Sequence, residues 1–146
     1  MSASITLVYV RSLSVGGLLL RAAQWWAQWT HVGVVTPDGT VINARAFHGV
    51  VEEDQATFLR RYSKAEFVAV PVPDPPSGIE WARSRVGNGY DYWALVRIIT
   101  SKLGVDQSDA RYECVEIAEG ALAAAGRARF RVPASRLTVQ QSYVTV

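Results

Sequence analysis

The sequence predicts an α+β domain, and three observations carry that expectation. Strand-like segments crowd the first half of the chain and helix-like segments the second. The 146 residues suit one domain of ordinary size, residues 1–146. With 49% hydrophobic and 19% charged residues, the chain has enough apolar material for a core and too little charge for disorder.

The strand-like half starts at residues 5–10, where Ile5, Thr6, Leu7, Val8, Tyr9 and Val10 are all strong β-formers. Residues 14–26 place Val15, Leu18, Leu19, Ala22 and Trp26 at helical spacing. Residues 31–35 predict a strand, Pro37-Asp38-Gly39-Thr40 a tight turn, and residues 41–45 the returning strand. A third short strand is expected at 48–52, a short helix within 53–62, and a further strand at 66–72. These strands predict an antiparallel meander.

Val72-Pro73-Asp74-Pro75-Pro76 reads as a rigid connector between two halves of one fold. Ser77-Gly78-Ile79-Glu80 has the pattern of a capping box, and a helix then runs to Gly87. Asn88-Gly89-Tyr90 turns the chain, and Asp91 caps a helix that continues through Leu103 to Gly104. Cys114, Ala118, Ala121, Leu122 and Ala125 recur at helical spacing, with Gly126 as the stop. Short strands are expected at 130–132 and 137–139.

A net charge of +2 is too small to point to nucleic acid. Arg127, Arg129 and Arg131 alternate as the solvated edge of a strand would. A single cysteine excludes an internal disulfide, and two histidines among scattered acids offer no familiar metal spacing; no cofactor is expected. The apolar run at 12–20 is too short to span a bilayer, and Arg11 and Arg21 bracket it too closely for a signal peptide. The expectation is therefore no transmembrane segment and no export signal, with a cytoplasmic or phage- or virion-associated location. Trp25, Trp26 and Trp29 suit core packing or a pocket rim, with a lipid-facing wall as the alternative.

Chemistry is suggested by three residues together. Cys114 opens a helix, where the positive end of the backbone dipole favours the thiolate. His31 opens a strand, and Asn43 lies twelve residues on, across a hairpin. Paired strands bring such positions side by side, and an asparagine carbonyl can accept the imidazole N–H and orient the ring. Each residue alone has a plainer explanation: a small buried hydrophobe, a strand-end histidine among tryptophans, a polar hairpin residue. As a set they match what a thiol enzyme needs, which is a nucleophile, a base and a group that holds the base. His48 is expected in a bend beside Gly49, with no comparable orienting residue on an adjacent strand.

The stretches Thr30-His31-Val32-Gly33-Val34-Val35, Val41-Ile42-Asn43-Ala44, Gly89-Tyr90-Asp91 and Tyr112-Glu113-Cys114-Val115-Glu116 together resemble the circularly permuted branch of the NlpC-type papain-like cysteine peptidases. YiiX-like proteins belong to that branch, and lecithin:retinol acyltransferases are relatives. In it the histidine strand precedes the cysteine helix, as here. The resemblance implies a papain-like fold in which an antiparallel sheet packs against helices. It implies Cys114 as nucleophile, His31 as base and Asn43 as orienting residue. The third position is often Glu in this branch, so Asn43 should lower the basicity of His31. The implied activity is a cysteine peptidase, a hydrolase of amide bonds working through an acyl-enzyme, with a peptide or a peptidoglycan stem peptide as substrate. A lipid acyltransferase or esterase acting on a lipid ester, and a non-catalytic binding or virion structural module, are the competing expectations.

Overall fold

The computed structural model describes residues 3–12, 28–45, 48–90, 111–112, 114–131, 134, 137 and 139–144. Within these, the architecture is α+β: a five-stranded antiparallel sheet packed against helices. In chain order the elements are β1 (Ser4–Arg11), β2 (His31–Val35), β3 (Thr40–Arg45), β4 (Gly49–Asp54), α1 (Gln55–Leu59), β5 (Lys64–Pro71), α2 (Pro75–Arg83), β6 (Gly89–Tyr90), β7 (Arg111–Tyr112), α3 (Cys114–Ala124) and α4 (Val139–Val144).

The sheet order is β4-β3-β2-β1-β5. The expected meander therefore holds from β1 to β4, but β5 returns to the far side of β1. There it pairs along its whole length, from Ser4↔Pro71 to Arg11↔Lys64. The β2–β3 turn closes as expected, with the Thr36 N–H donating to the Thr40 carbonyl at 2.9 Å.

Strand alternation divides the apolar residues between two faces. Leu7, Tyr9, Val32, Val34, Ile42, Ala44 and Val50 face α2, α3 and α4, meeting Ile79, Ala82, Val115, Ala118, Leu122 and Val139. On the opposite face Val8, Val10 and Val41 are covered by Phe58 of α1, with Val35, Leu59 and Tyr62 around them. Trp29 is fully buried in the larger cluster, against Tyr9 and Tyr143, so it serves core packing. Trp25, Trp26 and the helices expected at 14–26 and 91–103 lie outside the described residues.

Several expected boundaries move for identifiable reasons. Glu53 and Asp54 belong to β4, because β3 keeps pairing with it as far as Thr40↔Asp54; the short helix begins only at Gln55, capped by Asp54. The proline-rich connector is the start of α2. Asp74 caps it and accepts from the Ser77 N–H at 3.3 Å, and Pro75 occupies the first turn, where a missing N–H costs nothing. That helix ends at Arg83 and the chain turns through 84–87. Gly89 and Tyr90 form a short parallel bridge to Arg111 and Tyr112 instead of a turn. Neither C-terminal strand forms among the described residues: Phe130 and Leu137 lie in irregular backbone, and Val139 opens a helix. Arg129, expected at a solvated edge, is buried against Glu119.

Helices α2 and α3 approach closely because Gly78 has no side chain. A Cβ there would lie 2.5 Å from the Ala121 carbonyl oxygen and 2.5 Å from Ile5 Cδ1. Gly78→Ala should therefore destabilise the protein by about 1–3 kcal/mol, as overpacking does. Urea unfolding measures this, and a change below about 0.5 kcal/mol, within the range of a neutral surface change, would show that the helices can part freely.

Candidate active site

Strand β2 starts at His31 because Thr30 is pinned just before it. The Thr30 N–H donates to the Val10 carbonyl at 3.0 Å, and its Oγ1 accepts from the Ser12 N–H at 2.9 Å. Val32 and Val34 point at α3, so by alternation His31 and Gly33 point at α1. A Cβ on Gly33 would meet Val41 Cγ1 at 2.5 Å. The small residue of the His-x-Gly pattern thus lets Val41 close over the strand at Gly33.

Asn43 reaches the same face from β3 and is fully buried. Both ends of its amide are bonded: Oδ1 lies 3.1 Å from His31 Nε2, and Nδ2 donates to Glu53 Oε1 at 3.0 Å. Glu53 is in turn bonded by Arg61, with Nη1 to Oε2 at 2.8 Å and Nη2 to Oε1, while Arg45 Nη1 stands 3.9 Å from Oε2. The Arg61 guanidinium lies over the rings of Phe58 and Tyr62. Tyr62 stacks on His31, with ring centroids 5.9 Å apart and planes inclined by 20°.

Burial alone would raise the Glu53 pKa, but the bonds from Arg61 and Asn43 outweigh it, and the carboxylate is held below its usual range. An acceptor-only carboxylate fixes the donor end of the Asn43 amide, so Oδ1 must face His31. Nε2 of His31 then carries the proton, and Nδ1 is the nitrogen with a free lone pair.

Burial pushes the His31 pKa from 6.5 down to about 4, with Arg61 and Arg45 acting in the same direction; the Asn43 bond and Glu53 oppose them. Burial is thus the main cause of the low basicity, and the Asn43 bond offsets part of it. A stability test follows. Below pH 6.5 the unfolded chain takes up a proton at His31, whereas the folded chain does so only near 4. Stability should therefore fall as pH drops through that window and level off beneath it. Relative to His31→Gln, wild type should lose roughly 3 kcal/mol. Denaturation at pH 7, 5.5 and 4.5 measures it, and parallel curves for the two proteins would contradict a depressed imidazole.

Cys114 is the first residue of α3, half-buried, and packs on the edge of the larger cluster. Helix α3 lies over β2 and β3. Its C-terminal part meets the start of β1, where the Gly78 backbone fits between Ala121 and Ile5; Glu119 lies near Tyr9. His31 begins β2 at the end of the sheet where it pairs with Val10. Cys114 packs on the face of the sheet that carries the larger cluster, and His31 lies on the other face, against Phe58. Tyr62 stacks on the imidazole, and its pKa is raised chiefly by burial, with the Cys114 charge a lesser contributor.

His48 is exposed in the turn before β4. Glu53, Arg61 and Tyr62 were not singled out from the sequence; the signal available was the alternation Val51–Glu53, which puts Glu53 on Asn43's face if β4 runs two residues longer. A cavity of about 490 Å³ lies at the other end of the sheet, between Ile5, Val35, Pro37, Pro75, Ile79 and Arg83, and contains none of these groups. Among the described residues no helix is long and apolar enough to cross a membrane. No protein-family model matches the chain, and no curated protein matches it.

Proposed function

We propose that the protein is a cysteine hydrolase of amide bonds in peptides, built on a circularly permuted NlpC-type papain-like fold. The observation that carries this reading is the His31–Asn43 bond: a buried amide of enforced direction holds a neutral imidazole with Nδ1 bare. A histidine strand that precedes a cysteine-headed helix, with the helix laid on an antiparallel sheet, also supports it.

In this reading the Cys114 thiol gives its proton to His31 Nδ1, and the sulfur adds to the substrate carbonyl carbon. Backbone N–H groups of the first turn of α3 receive the oxyanion. The C–N bond breaks as His31 protonates the departing amine, leaving a thioester on Cys114. Water then adds to the thioester, gives a proton to His31, and releases the acid as the thiol re-forms. Stem peptides of peptidoglycan are the leading substrate class.

The test exposes the protein to a stem peptide and, separately, to a lipid ester, and looks for an acyl adduct on Cys114 by mass spectrometry. An adduct from the peptide, with hydrolysis, is expected. An adduct from the ester alone would make the protein an acyltransferase or esterase. With neither adduct, and alkylation of Cys114 no faster than free cysteine, a non-catalytic module would replace the enzyme.

A further inference from the structure

The His31–Asn43 bond does not account for its own direction. A carboxamide can turn either end toward an imidazole, and only one choice leaves Nδ1 as the proton acceptor. The selecting groups lie one bond further out. Glu53 occupies the donor end of the Asn43 amide at 3.0 Å and is itself held by Arg61 and Arg45.

We propose that Glu53 is the positioning residue of this site: its carboxylate, clamped by Arg61 and Arg45, sets the direction of the Asn43 amide and thereby the tautomer of His31. The inference rests on the hydrolase reading only for its consequence in catalysis; the hydrogen-bond relay itself does not depend on it.

This arrangement also explains why an amide occupies position 43. A carboxylate there would lie beside Glu53 in a buried setting, and two such groups cannot both ionise cheaply. The chain instead carries its negative charge one residue back and transmits it through a neutral group. The guanidinium of Arg61 makes two bonds to Glu53 and rests on Phe58 and Tyr62, so the carboxylate has a fixed place in the fold.

The experiment reads the His31 ring directly by ¹⁵N NMR in the full chain, with the signal assigned from the His31→Gln variant. Wild type is expected to show a protonated Nε2 and a bare Nδ1. Glu53→Ala should mix the tautomers and slow turnover about 10–100-fold, as losing an outer partner of an oriented histidine does, with KM little changed. Glu53→Gln keeps an acceptor oxygen for Asn43 and should preserve the tautomer. It should also lower the protonation midpoint of His31, because a negative charge is lost while the cationic Arg61 and Arg45 remain near the ring and Tyr62 stays stacked on it. Asn43→Asp should disturb the site by placing two carboxylates together, and adding Glu53→Gln to it should restore the wild-type tautomer.

A wild-type tautomer in Glu53→Ala would overturn the proposal, and so would an unchanged His31 midpoint in Glu53→Gln. Should Glu53→Ala fail to fold, the Asn43→Asp pair of variants decides, and no rescue by Glu53→Gln counts against the proposal. The two readings fail separately. Hydrolysis unaffected by Cys114→Ala would remove the cysteine-hydrolase reading and leave the relay standing. A lost turnover in Cys114→Ala with an unaltered tautomer in Glu53→Ala would remove the relay alone.

Discussion

Cys114→Ala is expected to abolish hydrolysis and leave the fold intact. In an enzyme that works through a covalent intermediate, losing the nucleophile costs on the order of 10⁶ in turnover. No other thiol exists in the chain to take over. The structural cost should be small, since Cys114 is half-buried and alanine only removes a sulfur at the edge of the cluster. His31→Gln should cost a similar factor. Because nucleophile and base act as one unit, the double variant should be little worse than either single one. Turnover on a stem peptide and thermal melting are the two measurements. An active Cys114→Ala protein would exclude the thioester route. Additive losses in the double variant would show that the two groups act in separate steps.

Arg129→Met should produce the largest loss of stability, about 3–5 kcal/mol, because it leaves a buried carboxylate without its partner. Arg129 and Glu119 have side-chain exposures of only 4% and 7%, so solvent can replace neither. Arg129 Nε donates to Glu119 Oε2 at 3.1 Å, and Nη2 donates to Oε1 and, at 3.1 Å, to Ser142 Oγ. The Ser142 hydroxyl donates to Glu119 Oε1 at 2.7 Å and lies 2.9 Å from the Tyr9 hydroxyl. One polar cluster thus ties β1, α3, the chain after it and α4 together beneath the sheet. Adding Glu119→Leu to Arg129→Met removes the stranded charge and should recover part of the loss. Salt should change little, since buried pairs are poorly screened. Urea unfolding of the three proteins measures this, and a single-variant loss below about 1 kcal/mol, the scale of an exposed pair, would show that the cluster is open to water.

These two sites were legible to different degrees. The strands at 5–10, 31–35 and 41–45 and the helix from Cys114 to its stop at Gly126 follow from local β-propensity, turn chemistry and helical spacing, and they form as expected. The His31–Asn43 contact was also within reach, because a hairpin with a short turn determines which residues meet. Glu53 was harder to place. Three acids in a row at the end of β4 resemble a helix start, and only pairing with β3 keeps them in the sheet. Arg129 was misplaced for a related reason: every second residue is arginine from 127 to 131, which imitates an exposed strand. Its buried partner, Glu119, comes from a helix ten residues earlier.

The sequence by itself determined the segregation of strands and helices, the hairpin that joins the imidazole to its carboxamide, and the placing of the thiol at a helix start. All three depend on neighbours within about a dozen residues. Tertiary structure alone decided the return of β5 to β1, the charge behind Asn43, the lowered basicity of His31 and the burial of Arg129. Each of those depends on which side chains water can still reach, and that is settled only when distant segments close over them.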